Sequence, residues 1–374
     1  MCSSDLHIAC FAPRREAADA ELHLKRFADS ESRVTAQIRF LPWPPASSAP
    51  SFSAKKNSTP LLEAPLVLLT NGIGGMARMC VDLGAVKSKY DCVLAANLHA
   101  SVPVDRHVFV KRLRAWVNAD GFITALNIEN LVAFEPGPPA HWRFIANAGN
   151  GRSAEIHVEA DLVEGQNFAL IRFSRPTSPP SVGDDLPAEC NVTLTVRLDI
   201  EDRNFHGETK HNGGAAHHFA SNSHALADRP GFEFTPAADR QFRAWTTSGA
   251  YNHESEWSFN LPHAVEQSRG QEGSGDAFSP GWFEISLAKP GESFLAIHTE
   301  KNFQTAKQLG AAFAQRRADN EKILSRAALP AEDRFGRRLA LATHAFVVRR
   351  GSGRTVIAGY PWLDRKSTRL NSSH

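Results

Sequence analysis

Between Leu66 and Ile297 apolar residues recur most often at every second position. In "NVTLTVRLDI", Val192, Leu194, Val196, Leu198 and Ile200 hold one phase, and Thr193, Thr195, Arg197 and Asp199 hold the other. Successive side chains of a strand point to opposite faces, so this is the pattern of a strand with one buried side. Ile156 and Val158 in "AEIHVEA", and Phe283, Ile285 and Leu287 in "WFEISLA", repeat it. Further strands are expected over 91–98, 107–117, 121–127, 142–147, 168–173, 241–247 and 293–298, separated by Gly, Pro and Asn turns. Many strands with no helical pattern between them predict a large antiparallel β-sandwich rather than a parallel α/β sheet.

The period changes after residue 300. Phe303, Ala306, Leu309 and Phe313, then Ile323 and Leu324, fall at near-helical spacing, and Phe335, Leu339, Ala342 and Phe346 step by four, three and four. Two helices joined around Ala328-Leu329-Pro330 are expected. Where the elements that would pack on these helices are missing, the apolar stripes around Leu309–Phe313 and Phe335–Phe346 are expected to be exposed, and such patches promote association. Near the end, residues 355–358 predict a short strand, broken by Gly359 before Tyr360-Pro361-Trp362.

The start of the chain is polar. A short helix is expected around Arg14–Phe27 and a strand over Arg33–Leu41, and the Pro, Ser and Ala of Pro42–Pro65 cannot hold a helix and predict a linker. The organisation that follows is a poorly defined segment and linker at 1–60, a β-sandwich domain at 61–300, a helical segment at 301–363 and a non-native tail at 364–374.

A chain of 374 residues, 42% of them hydrophobic, can bury a large core. Lys+Arg 42 against Asp+Glu 40 gives a net charge of +2 with no long run of one sign, so no nucleic-acid partner is expected. No stretch is apolar enough to cross a bilayer, and no membrane partner is expected. Cys2, Cys10, Cys80, Cys92 and Cys190 are odd in number and contain no Cys-x-x-Cys pair, which suits a reducing, cytoplasmic compartment.

Several motifs invite chemistry. Gly72, Gly74 and Gly75 in "LLTNGIGGMARM" follow an apolar strand but lack the third glycine and the apolar helix of a dinucleotide fingerprint, so a tight turn between strands is expected. His206, His211, His217, His218 and His224 lie within nineteen residues. Imidazole is a good zinc or iron ligand, and a cupin-like metal protein is one reading. They lack the two-apart spacing of ligands on a strand, however, and the segment predicts a polar surface loop with no metal. "DRNFHGETKHNGG" gathers Arg203, Asn204, His206, Glu208 and Lys210 at the end of the clearest strand. Such residues can bond sugar hydroxyls or clamp a neighbouring domain, and equally can form a solvated turn. Trp257 and Trp282 stand near Gly/Ser segments, where an indole can stack on a sugar ring, although core packing is commoner for Trp. A stand-alone carbohydrate-binding sandwich is therefore a second reading. There is no Gly-x-Ser-x-Gly elbow and no cysteine beside a clear histidine partner.

Four separated segments, in order, resemble the N-terminal region of bacterial and archaeal glycogen debranching enzymes of the amylo-α-1,6-glucosidase type. They are "LLTNGIGGMARMCVDLGAVKSKYDCVLAA" with "PVDRHVFVKRL", then "DRNFHGETKHNGG", then "EWSFNLPHAVEQSRGQEGSGDAFSPGWFEISLAKPGES", and "LALATHAFVVRRGSGRTVIAGYPWL". The resemblance covers roughly residues 60 to 363. Met76 stands where the family commonly has an aromatic, and the family's His-Gly is missing after Tyr90. The resemblance implies a supersandwich-like β domain followed by helices that begin an (α/α)6 barrel. It also implies an α-glucan substrate, no cofactor, and hydrolysis of α-1,6 branch points. That chemistry needs one carboxylic acid to protonate the leaving oxygen and one carboxylate to activate water. The resemblance places both beyond Leu363, so this chain is expected to be inactive alone and to hold no catalytic residue. Tyr360 and Trp362, with Arg203, His206 and Trp257, are the candidates for contact with substrate or with a neighbouring domain.

Overall fold

The alternating run at 191–200 becomes the spine of two facing sheets in a computed structural model that describes residues 18–27, 31–40, 64–99, 101–299 and 305–361. The path of the ten-stranded sheet is β17 (Ala250–Asn252), β20 (Trp282–Ser286), β13 (Val192–Asn204), β6 (Arg106–Ala119), β5 (Cys92–Asn97), β4 (Met76–Cys80) and β3 (Leu66–Thr70). Off this path, β7 (Phe122–Ala125) pairs with β6, and β18 (Glu256–Pro262) joins β13 through β19 (Ser274–Ser279).

The nine-stranded sheet runs β14 (Ser223–Ala225), β15 (Gly231–Ala237), β16 (Arg240–Thr246), β21 (Gly291–His298), β11 (Phe168–Arg175), β10 (Arg152–Leu162), β9 (Ala140–Asn147) and β8 (Leu131–Glu135). The short β12 (Asp184–Asp185) pairs with β10 in parallel, and the other pairs described in both sheets are antiparallel.

One core lies between the sheets. Phe109, Val117, Leu194, Val196 and Phe283 meet Trp142, Phe144, Ile156, Phe173 and Phe242 in a single buried cluster. Rings cross the gap, with Phe109 5.3 Å from Phe242, as in sheets packed face to face. Trp142 is fully buried on β9, and its indole N–H donates to the Val81 carbonyl at 3.0 Å. The glycine turn between β3 and β4 is a hairpin loop: Gly72 and Gly74 have φ of +68° and +100°, and a Cβ on Gly74 would lie 1.9 Å from the Pro103 carbonyl oxygen.

β13 departs from the expected one-sided strand. Beyond Leu198 both faces are covered, and Asp199, Glu201 and Arg203 are buried along with Ile200. The register with β6 shifts at Asp199/Ile200 and again before Arg203, so the second half of the strand is irregular.

The His-rich segment is also not a plain loop. Asn212 caps α1 (Gly213–Ser221) by accepting from the Ala215 N–H at 2.9 Å, and Phe219 enters the core. The Asn cap starts the helix despite Gly213 and Gly214, and the burial of Phe219 holds its turns against the core. A further short helix, α2 (Ala264–Gln267), lies between β18 and β19.

α3 (Ala306–Ala327) and α4 (Arg334–His344) occupy the two expected helical stretches, and a hairpin of β22 (Val347–Arg350) and β23 (Gly353–Val356) follows them. Leu309 and Phe313 are not exposed as expected: they are buried against Phe168, Leu170, Trp245 and Phe294 on the outer side of the nine-stranded sheet. Arg316 anchors the same turns by bonding Asp161 at 2.7 Å and Glu164 at 3.2 Å.

Residues 18–27, 31–40 and 323–341 belong to a second compact unit. Here β1 (Ala18–Phe27) pairs antiparallel with β2 (Glu31–Phe40), from Ala18↔Phe40 to Phe27↔Glu31. The helix expected at Arg14–Phe27 is therefore a strand over its described part. The reason is legible in the residues: Ala18, Ala20 and Leu22 alternate with Asp19, Glu21 and His23, which is period two. In α4, Asp333 caps the start through the Gly336 N–H at 2.8 Å, and Phe335 and Leu339 are half exposed, as expected. The linker expected at Pro42–Pro65 lies almost wholly outside the described residues, as does the tail at 364–374.

Truncating Trp142 removes a large fully buried ring and leaves the Val81 carbonyl without its donor. Trp142→Ala should lower the unfolding free energy by about 3–5 kcal/mol, read as a shift of the urea midpoint with little change in slope.

Candidate functional site

The buried charges on the outer face of β6 and β13 need partners, because an unpaired charge away from water is strongly disfavoured. Arg203 pairs with Glu201 at 2.8 Å and donates to the Phe205 carbonyl at 3.2 Å and the Lys89 carbonyl at 2.5 Å. Lys111 Nζ donates to the carbonyls of Ser88 and Lys89 at 2.8 and 2.9 Å, and burial pulls its pKa down to about 8. The segment 87–91 is fastened from its other side as well. Asp91 accepts from the Lys87 and Ser88 N–H groups at 2.8 and 3.0 Å and pairs with Arg78. Buried Glu266 of α2 accepts from the Ser88 hydroxyl at 2.8 Å and the Lys89 N–H at 3.0 Å.

This fastened segment presents Tyr90 to a set of aromatic and cationic groups. The Tyr90 ring lies 4.9 Å from Phe205, and its hydroxyl is 3.1 Å from Nδ1 of His206. The Arg106 guanidinium is sandwiched, 4.9 Å from the Phe205 ring and 4.8 Å from the Tyr360 ring, the geometry of two cation–π contacts. Its Nε donates to the Gly74 carbonyl at 2.6 Å, which ties the sandwich to the β3–β4 loop. Tyr360 also packs 5.5 Å from Phe346.

Three of the five residues singled out from sequence, Arg203, His206 and Tyr360, thus join one continuous patch. Trp257 does not join it; it packs among Phe219 and Phe278, with His211 edge-on at 4.8 Å. Trp362 lies outside the described residues. Sequence reasoning missed Arg106, Lys111, Tyr90 and Phe205 as members. One signal was available: Arg106 and Lys111 are charges at the ends of the apolar run "HVFV", and a strand carrying such charges into burial must have a polar partner waiting.

Beside the patch a polar cavity of about 210 Å³ is lined by Arg106, His107, Asn204, Asp239 and Arg240 among others. Behind it Asp202 accepts from His107 at 2.7 Å, from His218 at 3.0 Å and from Arg240 at 3.1 Å. One carboxylate therefore joins β6 and β13 of one sheet to β16 of the other and to α1. Burial alone would raise the Asp202 pKa, but the hydrogen bonds from His107 and His218 outweigh it and hold the carboxyl at about 2.

The other histidines of that segment do not converge. His206 meets Tyr90, His211 meets Trp257 and Phe259, and His217 and His224 are exposed. Among the described residues no group of three or more His, Cys, Asp or Glu side chains could hold a metal ion. The carboxylates named around the patch are all engaged by cationic, hydroxyl or N–H partners.

Because its folded pKa is depressed, Asp202 stabilises the fold above its ordinary carboxylate pKa and loses that contribution as pH falls toward 2. Asp202→Asn should cost about 2 kcal/mol at pH 6 to 7, and the gap from wild type should close between about pH 4 and pH 2 in urea titrations.

Residues 67–295 match the family described as "Glycogen debranching enzyme N terminal". Among solved structures the chain is similar to a bacterial glucoamylase complexed with acarbose, at 7% identity and a TM-score of 0.37, over 77% of this chain and 42% of that one. It is also similar to a putative kojibiose phosphorylase from human microbiome, at 8% identity and a TM-score of 0.30, over 75% of this chain and 36% of that one. The chain thus spans less than half the length of either structure. No curated protein matches the sequence.

Proposed function

We propose, from the premise that the chain belongs to the glycogen debranching enzyme N-terminal family, that it is the non-catalytic β-sandwich part of an enzyme hydrolysing α-1,6-glucosidic branch points of glycogen-like α-glucans. The domain division that goes with this reading is 61–300 for the sandwich and 301–363 for the helical approach to a catalytic barrel. Residues 1–60 and 364–374 lie outside both.

The observation that carries the reading is the family match over 67–295 together with the convergence of Tyr360, Arg106 and Phe205. Tyr360 lies beyond the matched region yet packs back onto it, so the segment after the helices is gripped by the sandwich. In this reading the grip sets the orientation of whatever follows Pro361, with Trp362 as a further contact, and Arg203 and His206 stiffen the gripping surface. Branch-point hydrolysis needs an acid and a base held on either side of the bond. Glu201, Asp202, Glu266 and Asp91 are committed to structural partners and do not supply that pair.

A cytoplasmic setting agrees with the thiols. Cys80, Cys92 and Cys190 are free, and burial raises the pKa of Cys80 to about 12 and of Cys92 to about 11. No helix among the described residues is long and apolar enough to cross a membrane.

Purified chain incubated with a phosphorylase limit dextrin should release no glucose. When the separately expressed helical catalytic region of a family enzyme is added, the two should associate, and Tyr360→Ala should weaken that association about tenfold, because loss of its contacts with Arg106 and Phe346 within the chain releases the segment from the sandwich. Glucose release by the chain alone, or no association with the catalytic region, would overturn the reading.

A further inference from the structure

β18 is an edge strand, paired only with β19 in the described sheet. Trp257 and Phe259 stand two residues apart on it and have different fates. Trp257 is half buried, 5.4 Å from both Phe219 and Phe278, whereas Phe259 is 57% exposed. The register of β18 slips between Ser258 and Leu261, and Asn260 there has φ of +53°. A bulge of this kind re-aims a side chain, and Asn is among the few L-residues that enter the left-handed region readily.

Buried Asp276 holds the bulge in place. One of its carboxylate oxygens accepts from the Asn260 N–H at 2.8 Å and the other from the His211 N–H at 2.8 Å, while its own N–H donates to the Thr209 carbonyl at 2.8 Å. The strand and the 209–211 segment are thereby locked to each other. The result is that His211 stands edge-on to both rings, 4.8 Å from Trp257 and 5.2 Å from Phe259.

We infer that Phe259, braced by the edge-on His211 ring with Trp257 packed behind it, forms an accessory contact that binds the apolar face of a hexose in an α-glucan. This rests on the α-glucan reading given above and adds to it a second contact, apart from the Tyr360 patch. The C–H face of a pyranose meets the electron-rich face of an aromatic ring, and its hydroxyls seek hydrogen-bonding groups at the rim. Asn260, Asn212 and the Lys210–Glu272 pair stand there, all exposed. A protein partner fits less well. No other exposed large apolar side chain lies on β18, β19 or the 209–214 segment, so the apolar spot is one ring wide, far below the contiguous patch of a protein interface.

The test is titration of the full chain with glycogen and with maltoheptaose, followed by calorimetry and by intrinsic tryptophan fluorescence. Phe259→Ala and His211→Ala are compared with Phe122→Ala, which removes another exposed ring elsewhere, and thermal melts check that all three fold. Wild type should bind, Phe259→Ala should bind roughly tenfold more weakly, and Phe122→Ala should stay within about twofold of wild type. If wild type binds and Phe259→Ala binds equally, the accessory contact is refuted while the α-glucan reading stands. Failure of wild type to bind either glucan also refutes the accessory contact, and the limit-dextrin assay decides the functional reading separately.

Discussion

The adjacent strands β6 and β13 are apolar on the face that meets the other sheet and charged on a face that is also covered, and the rest of the molecule answers to that conflict. The apolar side supplies the sandwich core, each fully buried Phe or Leu contributing about 1.5–3 kcal/mol. The charged side brings Lys111, Asp199, Glu201 and Arg203 out of water. Those charges do not strengthen the fold by themselves, since desolvation offsets most of the attraction between buried ions. What they do is specify which segments cover them. Asp199 takes Arg112 and Arg114, Lys111 takes the carbonyls of 88 and 89, and Glu201 orients Arg203. A covering segment without those carbonyls would leave the charges unmet.

From that requirement the candidate site follows step by step. Fixing 87–91 fixes Tyr90, which fixes Phe205 and His206 against it. Phe205 provides one wall for Arg106 and Tyr360 the other, so the end of the described chain is held by a surface that originates at the C-terminal end of β13. Asp202, the residue after Glu201, does comparable work through two histidines and an arginine. The patch is therefore a place where the chain grips itself.

The sandwich was legible because its strands obey period two over many residues, and the helical stretches because they change that period. Legibility failed where local pattern and tertiary demand diverge. The β1 alternation is plain once Asp19, Glu21 and His23 are counted, but its good helix formers mask it. Leu309 and Phe313 announce an apolar stripe without saying that the sandwich itself covers it. β18 and β19 carry Ser, Gly and Asn among their apolar residues, and the Asp276 carboxylate, acting across sixteen residues from Asn260, fixes the bulge in their pairing. At the patch, Tyr360, Arg203 and His206 carried enough residue character to be noticed, whereas Arg106 and Lys111 were hidden inside a strand and Trp257 was drawn into the core. Partners distant in sequence leave no periodic trace.

Hydrogen exchange on a Lys111→Met variant tests the central dependence most directly. If the buried ammonium organises its cover, the amides of residues 87–91 should exchange roughly ten- to hundredfold faster than in wild type, the size expected when buried carbonyls lose their donor, while those of 142–147 and 156–162 should not change. Unchanged exchange at 87–91 would contradict the account, for it would mean that the segment is held by its own packing and that the charged face of β6 and β13 is not what orders the patch.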